Sequence, residues 1–168
     1  IIMEYQDEMI DVWKLVRWFE MVKPEIKASE LNVYSLLNRD AGTLDNLFFI
    51  KSGVYEINGQ KPLELSEGLY VVDLKTGNQV DDNAFMQTAA YANCVKEMGL
   101  GEAIGCLIIH TQSKTKKGIE GLATIYRNKE EMDQDYQDYR LASALWERKN
   151  FVKKPKLYEF PSILFLKK

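Results

Sequence analysis

Two near-continuous apolar runs of strand length constrain the fold of this chain more than any other feature. Residues 69–74 read LYVVDL, and residues 103–109 read AIGCLII. Apolar side chains at almost every position are typical of strands that are buried on both faces. The segment between the two runs predicts a helix that begins after an Asp82 or Asn83 cap and stops at Gly99. We therefore expect two buried strands with a helix between them.

The rest of the chain alternates between helical and strand periodicities. Apolar residues at three- and four-residue steps over 5–22 predict an amphipathic helix whose buried stripe is Met9, Val12, Trp13, Val16, Phe19 and Val22. Strands are predicted over 25–37, 42–50 and 122–126, a loop or loose hairpin over 56–68, and a last helix over 130–150. This order predicts an α/β fold with a central mixed β-sheet flanked by helices. We expect one domain over 1–168, with its core over about 24–110 and a C-terminal helix and basic tail over 130–168.

Composition excludes several classes of protein. The formal net charge of −3 excludes a uniformly basic coat for nucleic acid. The sequence shows no apolar run of about 18 residues and no leader with a cleavage site, so we expect an intracellular, cytoplasmic protein without a membrane partner. Cys94, Cys106 and His110 are too few for a disulfide framework or a zinc site of ordinary spacing. Any metal ion would therefore be held by oxygen atoms, and His110 is expected to be a packing or hydrogen-bonding residue.

One buried run ends in an acid, which is unusual for an apolar strand. Asp73 and Lys75 are two residues apart, so on a strand they project to the same face. A carboxylate from the preceding strand, Asp45, is placed to meet them. Two carboxylates and a backbone carbonyl form the oxygen-rich half-shell that Mg²⁺ prefers, and a lysine beside them can orient an attacking water.

Three short motifs occur in a fixed order along the chain. Residues 42–45 read GTLD, residues 71–77 read VVDLKTG, and residues 87–91 read QTAAY. As GxxD, DxKTG and QxxxY, they resemble the PD-(D/E)XK nuclease superfamily, and within it the RecB-like and phage-type exonuclease branch. The resemblance covers roughly residues 24–110, and the joint order and spacing make it specific, since a DxK tripeptide alone is common. Glu30 is the candidate for the upstream glutamate that many members carry.

The resemblance implies a site and a cofactor. It implies a restriction-endonuclease-like core in which Asp45, Asp73, the Leu74 carbonyl and Glu30 bind Mg²⁺ or Mn²⁺. Lys75 would position or activate the attacking water, completing a catalytic set that also includes Gln87 and Tyr91. These last two lie at i and i+4 on one helical face and would also contact the DNA backbone. The four cysteines of some RecB-like relatives are absent, so no iron–sulfur cluster is expected.

Basic segments add a second argument for DNA. Lys114, Lys116 and Lys117 form a basic loop, and residues 146–168 carry a net charge of +5 against −8 for the rest of the chain. Such asymmetry favours a surface that follows phosphates, although lysine-rich loops and tails are often only solvated.

We therefore expect a divalent-metal-dependent DNA nuclease, most simply an exonuclease, in the host cytoplasm if it is phage-encoded. The motifs are shared by exonucleases and endonucleases, and a homo-oligomer or a recombination partner protein is compatible with them. The alternatives are a catalytically silent nucleic-acid-binding module of the same fold and a non-enzymatic subunit of an assembly.

Overall fold

The computed structural model describes residues 6–57, 61–77, 79–111 and 122–150. Its helices are α1 (Gln6–Val22), α2 (Asp82–Glu97) and α3 (Lys129–Asn150), and its strands are β1 (Glu25–Ser35), β2 (Asp40–Ile50), β3 (Gly53–Tyr55), β4 (Leu63–Leu65), β5 (Gly68–Lys75), β6 (Ala103–His110) and β7 (Ala123–Asn128). The strands and helices predicted over these residues are confirmed. In the segment 56–68, predicted as a loop or a loose hairpin, β4 pairs with β3, which lies just before that segment. The predicted basic loop and the tail beyond residue 150 lie outside the described residues.

Five strands form a central sheet in the order β1–β2–β5–β6–β7, and β3 and β4 form a separate two-stranded sheet. β5 and β6 are parallel, and the other neighbours are antiparallel, so the sheet is mixed as predicted. The parallel pair requires a crossover, which α2 provides. The α/β class with helices flanking a central sheet is therefore confirmed.

The helices cover opposite faces of the sheet. On one face, Trp18 and Val22 of α1 pack with Phe48, Val72 and Ile109 of the central strands. On the other face, α2 and α3 cover a second cluster, which includes Val71, Ala89, Val95, Cys106 and Met132. Because β5 and β6 are buried on both sides, their apolar runs have almost no polar alternation.

The ends of α2 follow from local chemistry, with one change from the prediction. The N-cap is Asp81, one residue before the earlier of the two expected caps, and its carboxylate accepts a 2.6 Å hydrogen bond from the backbone N–H of Asn83. Hydrogen bonds from the backbone and the side chain of Asn83 lower the pKa of Asp81. At the other end, Gly99 adopts a φ of +72°, the left-handed conformation that commonly ends a helix.

The buried stripe predicted for α1 is wrong in its larger part. Met9, Val12, Trp13 and Val16 are exposed, with Trp13 at 62%. The buried face centres on Trp18, whose indole N–H donates a 2.9 Å hydrogen bond to the Thr124 hydroxyl. The helix carries two apolar arcs, and periodicity alone does not decide which of them meets the sheet.

α1 also buries a lysine that sequence reasoning did not single out. Lys14 is 1% exposed, and its ammonium group donates a hydrogen bond to the backbone carbonyl of Thr111, just after β6. Burial lowers the pKa of Lys14, and the nearby Asp11 opposes this shift. Lys14 therefore ties α1 to the end of the sheet at which β5 also ends.

Candidate functional site

The candidate site lies where β2 and β5 separate. Their antiparallel pairing runs from Ile50–Gly68 to Asn46–Val72 and stops there. Continued by one step, the register would place Asp45 opposite Asp73. Instead, the carboxylate of Asp45 accepts a 2.9 Å hydrogen bond from the backbone N–H of Leu74. The Asp45 side chain thus supplies the acceptor that a neighbouring strand would otherwise give to the Leu74 N–H, since a backbone donor removed from water needs a partner.

We call the point where β2 and β5 separate, at Asp45 and Asp73, the fork. Beyond the fork, β5 keeps β6 as its neighbour. Its pairing with β6 continues through Asp73–Ile108 to Lys75–His110, and the backbone N–H of Thr111 donates a 3.0 Å hydrogen bond to the Lys75 carbonyl. Because the backbone groups of successive strand residues point to alternate edges, the N–H and C=O of Leu74 both face the open side. The fork therefore exposes one backbone carbonyl beside the Asp45 carboxylate.

Asp73 and Lys75 form a close ion pair on one face of β5, as their spacing predicts. The Lys75 ammonium donates a 3.0 Å hydrogen bond to Oδ1 of Asp73 and lies 2.8 Å from Oδ2. Oδ2 is buried, and its contact with the ammonium does not have hydrogen-bond geometry. Asp73 is 5% exposed, and burial raises its pKa, with Lys75 opposing and Asp45 reinforcing the shift. The site therefore holds a carboxylate that is poorly solvated and has one oxygen available to a further cation.

Glu30 lies across from Asp45 at an irregular point in β1. Ala28 and Leu31 pack in the same core cluster although they are three residues apart, so the alternation of β1 is broken between them. Glu30 has a φ of +50°, a conformation that costs energy for a side-chain-bearing residue. At Glu30 and Asp45, the side chains of the β1–β2 hairpin therefore switch from one face of the sheet to the other. The Glu30 side chain is left exposed.

The QxxxY residues lie on the face of α2 that borders the site. The Gln87 side-chain amide donates a 3.1 Å hydrogen bond to the Tyr91 hydroxyl, as their i and i+4 positions allow. The Tyr91 ring also occupies the space above Gly42, where a Cβ would lie 2.6 Å from Cε1 of the ring. The glycine of GxxD thus permits the tyrosine of QxxxY to pack on β2. Sequence reasoning had the two motifs but not this contact.

His110 supports the turn that follows Lys75. The residue is 4% exposed, and its Nε2 lies 2.7 Å from the carbonyl oxygen of Gly77, which can only accept, so Nε2 carries the proton. The expectation that His110 is a hydrogen-bonding residue is confirmed. Since His110 pairs with Lys75 in the sheet and holds Gly77, it fixes both ends of the KTG turn.

The structure brings together part of the predicted set. Asp45, Asp73, Leu74 and Lys75 meet at the fork, and Gln87 and Tyr91 border it. Among the residues that the structure describes, no three His, Cys, Asp or Glu side chains lie close enough to hold one metal ion, so Glu30 does not join the two aspartates as a third ligand. Lys114, Lys116 and Lys117 lie outside the described residues.

Comparison of the sequence with protein-family models and with curated proteins found no match. The three sequence motifs and the geometry of the fork are therefore the features of this chain that indicate a function. None of the helices within the described ranges is long and apolar enough to cross a membrane.

Proposed function

We propose that this protein is a divalent-metal-dependent DNA nuclease of the PD-(D/E)XK type, and within that class a RecB-like or phage-type exonuclease. The observation that carries the proposal is the meeting of Asp45, Asp73 and Lys75 at the point where β2 leaves β5. Two motifs, GxxD and DxKTG, supply these residues, and together with QxxxY they occur in the order of that superfamily. A site of this kind suits hydrolysis of a phosphodiester bond.

The donor atoms at the fork fit Mg²⁺ or Mn²⁺. Asp45 and Asp73 supply carboxylate oxygens, and the open edge of β5 supplies the Leu74 carbonyl. Mg²⁺ is commonly held by one or two carboxylates, with waters and substrate phosphates completing its shell, so a third carboxylate is not required. The Oδ2 atom of Asp73 is buried and has the Lys75 ammonium 2.8 Å away without hydrogen-bond geometry, so a further cation would stabilise it. When bound, the ion would polarise the phosphate and lower the pKa of an attacking water.

The protein's own residues would then orient the reaction. Lys75 is held beside Asp73 and is about one-third exposed, so its ammonium group can reach both the carboxylate and an incoming phosphate. Asp45 is fixed by its bond to the Leu74 N–H and cannot rotate freely. Gln87 and Tyr91 present a linked amide and hydroxyl at the border of the site, where a phosphate oxygen can accept a hydrogen bond.

Cleavage of labelled DNA tests this proposal. End-labelled linear DNA and covalently closed circular DNA would be incubated with Mn²⁺ and with wild-type protein, Lys75→Ala or Lys96→Ala. Lys96 is a matched control because it is an exposed lysine of α2 that pairs with Glu102 outside the fork. We expect degradation of the linear substrate by the wild type and by Lys96→Ala, and a loss of at least about a hundredfold in Lys75→Ala.

Other outcomes separate the alternatives. Nicking of the circle, lost in Lys75→Ala, would keep the nuclease and replace exonuclease with endonuclease. DNA binding without cleavage of either substrate would favour the catalytically silent module. Equal cleavage by wild type and Lys75→Ala would contradict the proposed site.

A further inference from the structure

A groove of about 880 Å³ leads away from Lys75 between α2 and the second half of α3. One face of α2 lines it with polar and small side chains, among them Gln87 and Tyr91. α3 contributes Tyr139, Ala142, Ser143 and Trp146, whose i, i+3, i+4 and i+7 spacing places them on a single helical face. The groove is thus continuous with the candidate site, and one of its two walls is a helix that carries none of the nuclease motifs.

The position of α3 over the groove is held by a polar cluster at the start of β2. The Tyr139 hydroxyl donates a 3.0 Å hydrogen bond to Asp40, and the Arg140 guanidinium lies 3.6 Å from the other oxygen of the same carboxylate. Burial and the bond to Asp40 raise the pKa of Tyr139 to about 12, so its hydroxyl stays a donor at neutral pH. Trp146 follows two turns later with 66% of its surface exposed. A large aromatic ring is therefore held at the mouth of the groove and open to a ligand.

The lining suits bases better than the paired phosphates of a duplex. Its cations are Arg39 and Lys75, and the carboxylates of Asp40, Asp81 and Glu147 outnumber them, so the lining has no excess of positive charge. Duplex DNA is bound chiefly through many phosphate contacts with Lys and Arg, which this lining does not offer. Aromatic rings and side-chain amides are instead the groups that stack on bases and hydrogen-bond to their edges.

The size of the groove agrees with this choice. Its volume lies within the range of about 300–1,000 Å³ that encloses one drug-sized ligand, which corresponds to roughly one or two nucleotides. We propose that the groove binds unpaired bases of single-stranded DNA, with one base stacked on Trp146 and the strand leading to Lys75. The direction of the strand rests on the proposed function, whereas stacking on Trp146 can be measured without cleavage.

Binding measurements in EDTA, which prevents cleavage, test the groove directly. Fluorescence anisotropy would compare a labelled single strand, the same strand in a duplex, and an oligoribonucleotide of the same sequence. We expect the single DNA strand to bind most tightly, Trp146→Ala to weaken its binding by about tenfold, and Trp146→Phe to restore most of it. Trp13→Ala is the matched control, since Trp13 is equally exposed, at 62%, on the opposite side of the sheet.

The outcomes distinguish this inference from the proposed function. Binding of the single strand that depends on Trp146, without cleavage in Mn²⁺, would support the groove and contradict the nuclease. Cleavage that depends on Lys75 but is unaffected by Trp146→Ala, with duplex bound as tightly as the single strand, would overturn the groove and keep the nuclease. Tighter binding of the oligoribonucleotide would overturn the assignment to DNA. Equal weakening by Trp13→Ala would also overturn it, because the effect would not belong to the groove.

Discussion

The two halves of β5 differ in a way that accounts for the site. Over residues 69–72 the strand has a neighbour on each side, and Tyr70, Val71 and Val72 are at most 1% exposed. Over Asp73–Lys75 it keeps only β6, and its side chains become an acid and a base. In the paired half, the backbone groups form their hydrogen bonds with the neighbouring strands, whereas in the forked half the Leu74 N–H donates its hydrogen bond to the Asp45 side chain. Polar chemistry therefore appears where the sheet stops supplying hydrogen bonds.

The same comparison predicts a conflict between stability and function at Asp73. A buried carboxylate whose pKa is raised costs folding free energy when it ionises, and the unfolded chain does not have this cost. The paired half of β5 contains no such group. Substitutions in the forked half should therefore change activity and stability in different directions.

The largest expected effect is that of Asp73→Asn. Loss of the negative charge should reduce Mn²⁺-dependent cleavage by about a hundred- to a thousandfold, because the amide is a poor partner for a hard cation. The same variant should be more stable than the wild type at neutral pH. Cleavage rates and urea unfolding measure the two effects, and a variant that loses both activity and stability would contradict the comparison.

The pH dependence of that difference has a definite sign. Because burial holds the folded pKa of Asp73 above its ordinary value, its stabilising contribution is complete below that ordinary value and is lost as pH rises through the folded pKa. The stability advantage of Asp73→Asn over the wild type should therefore grow as pH rises above about 4. Added Mn²⁺ should raise the Tm of the wild type and leave that of the variant unchanged.

A smaller effect is expected at the contact between the two motifs. Gly42→Ala would place a methyl group 2.6 Å from the Tyr91 ring, and such overpacking costs about 1–3 kcal/mol of folding free energy. Combining it with Tyr91→Ala should give less than the sum of the two single losses, as contacting residues do. Gly53→Ala is the matched control, because its added Cβ would lie no closer than 3.3 Å to a neighbour. Strict additivity of Gly42→Ala and Tyr91→Ala would show that the ring does not pack on this glycine.

The smallest effect is expected at the turn after Lys75. His110→Leu removes the hydrogen bond to Gly77 and should cost about 1 kcal/mol, with faster amide hydrogen exchange over 75–77. Ser29→Ala, which removes the exposed 2.8 Å bond to Asn46, is the control and should leave this exchange unchanged. Protection of 75–77 that does not respond to His110→Leu would remove the histidine from the support of the turn.

Much of this architecture could be predicted from local pattern. The apolar runs of β5 and β6 identify buried strands without reference to their neighbours, and the two-residue spacing of Asp73 and Lys75 places both on one face. Asp81 and Gly99 bound α2 through their own local chemistry, so its ends were predicted to within two residues. Each of these properties depends on residues that are close together in the chain.

The contacts that define the site were decided by the tertiary structure. Which arc of α1 meets the sheet depends on the fit of Trp18 and Lys14, and both arcs have helical spacing. The hydrogen bond between Asp45 and the Leu74 N–H depends on where β2 and β5 cease to pair. The packing position of the Tyr91 ring depends on Gly42, which lies in β2. Periodicity describes which way a side chain points along its own element, whereas register and docking between distant elements decide what that side chain meets. Local pattern was thus enough to predict the strands of the central sheet, α2 and the Asp–Lys pair, whereas the fork and the groove arise from the packing of distant elements.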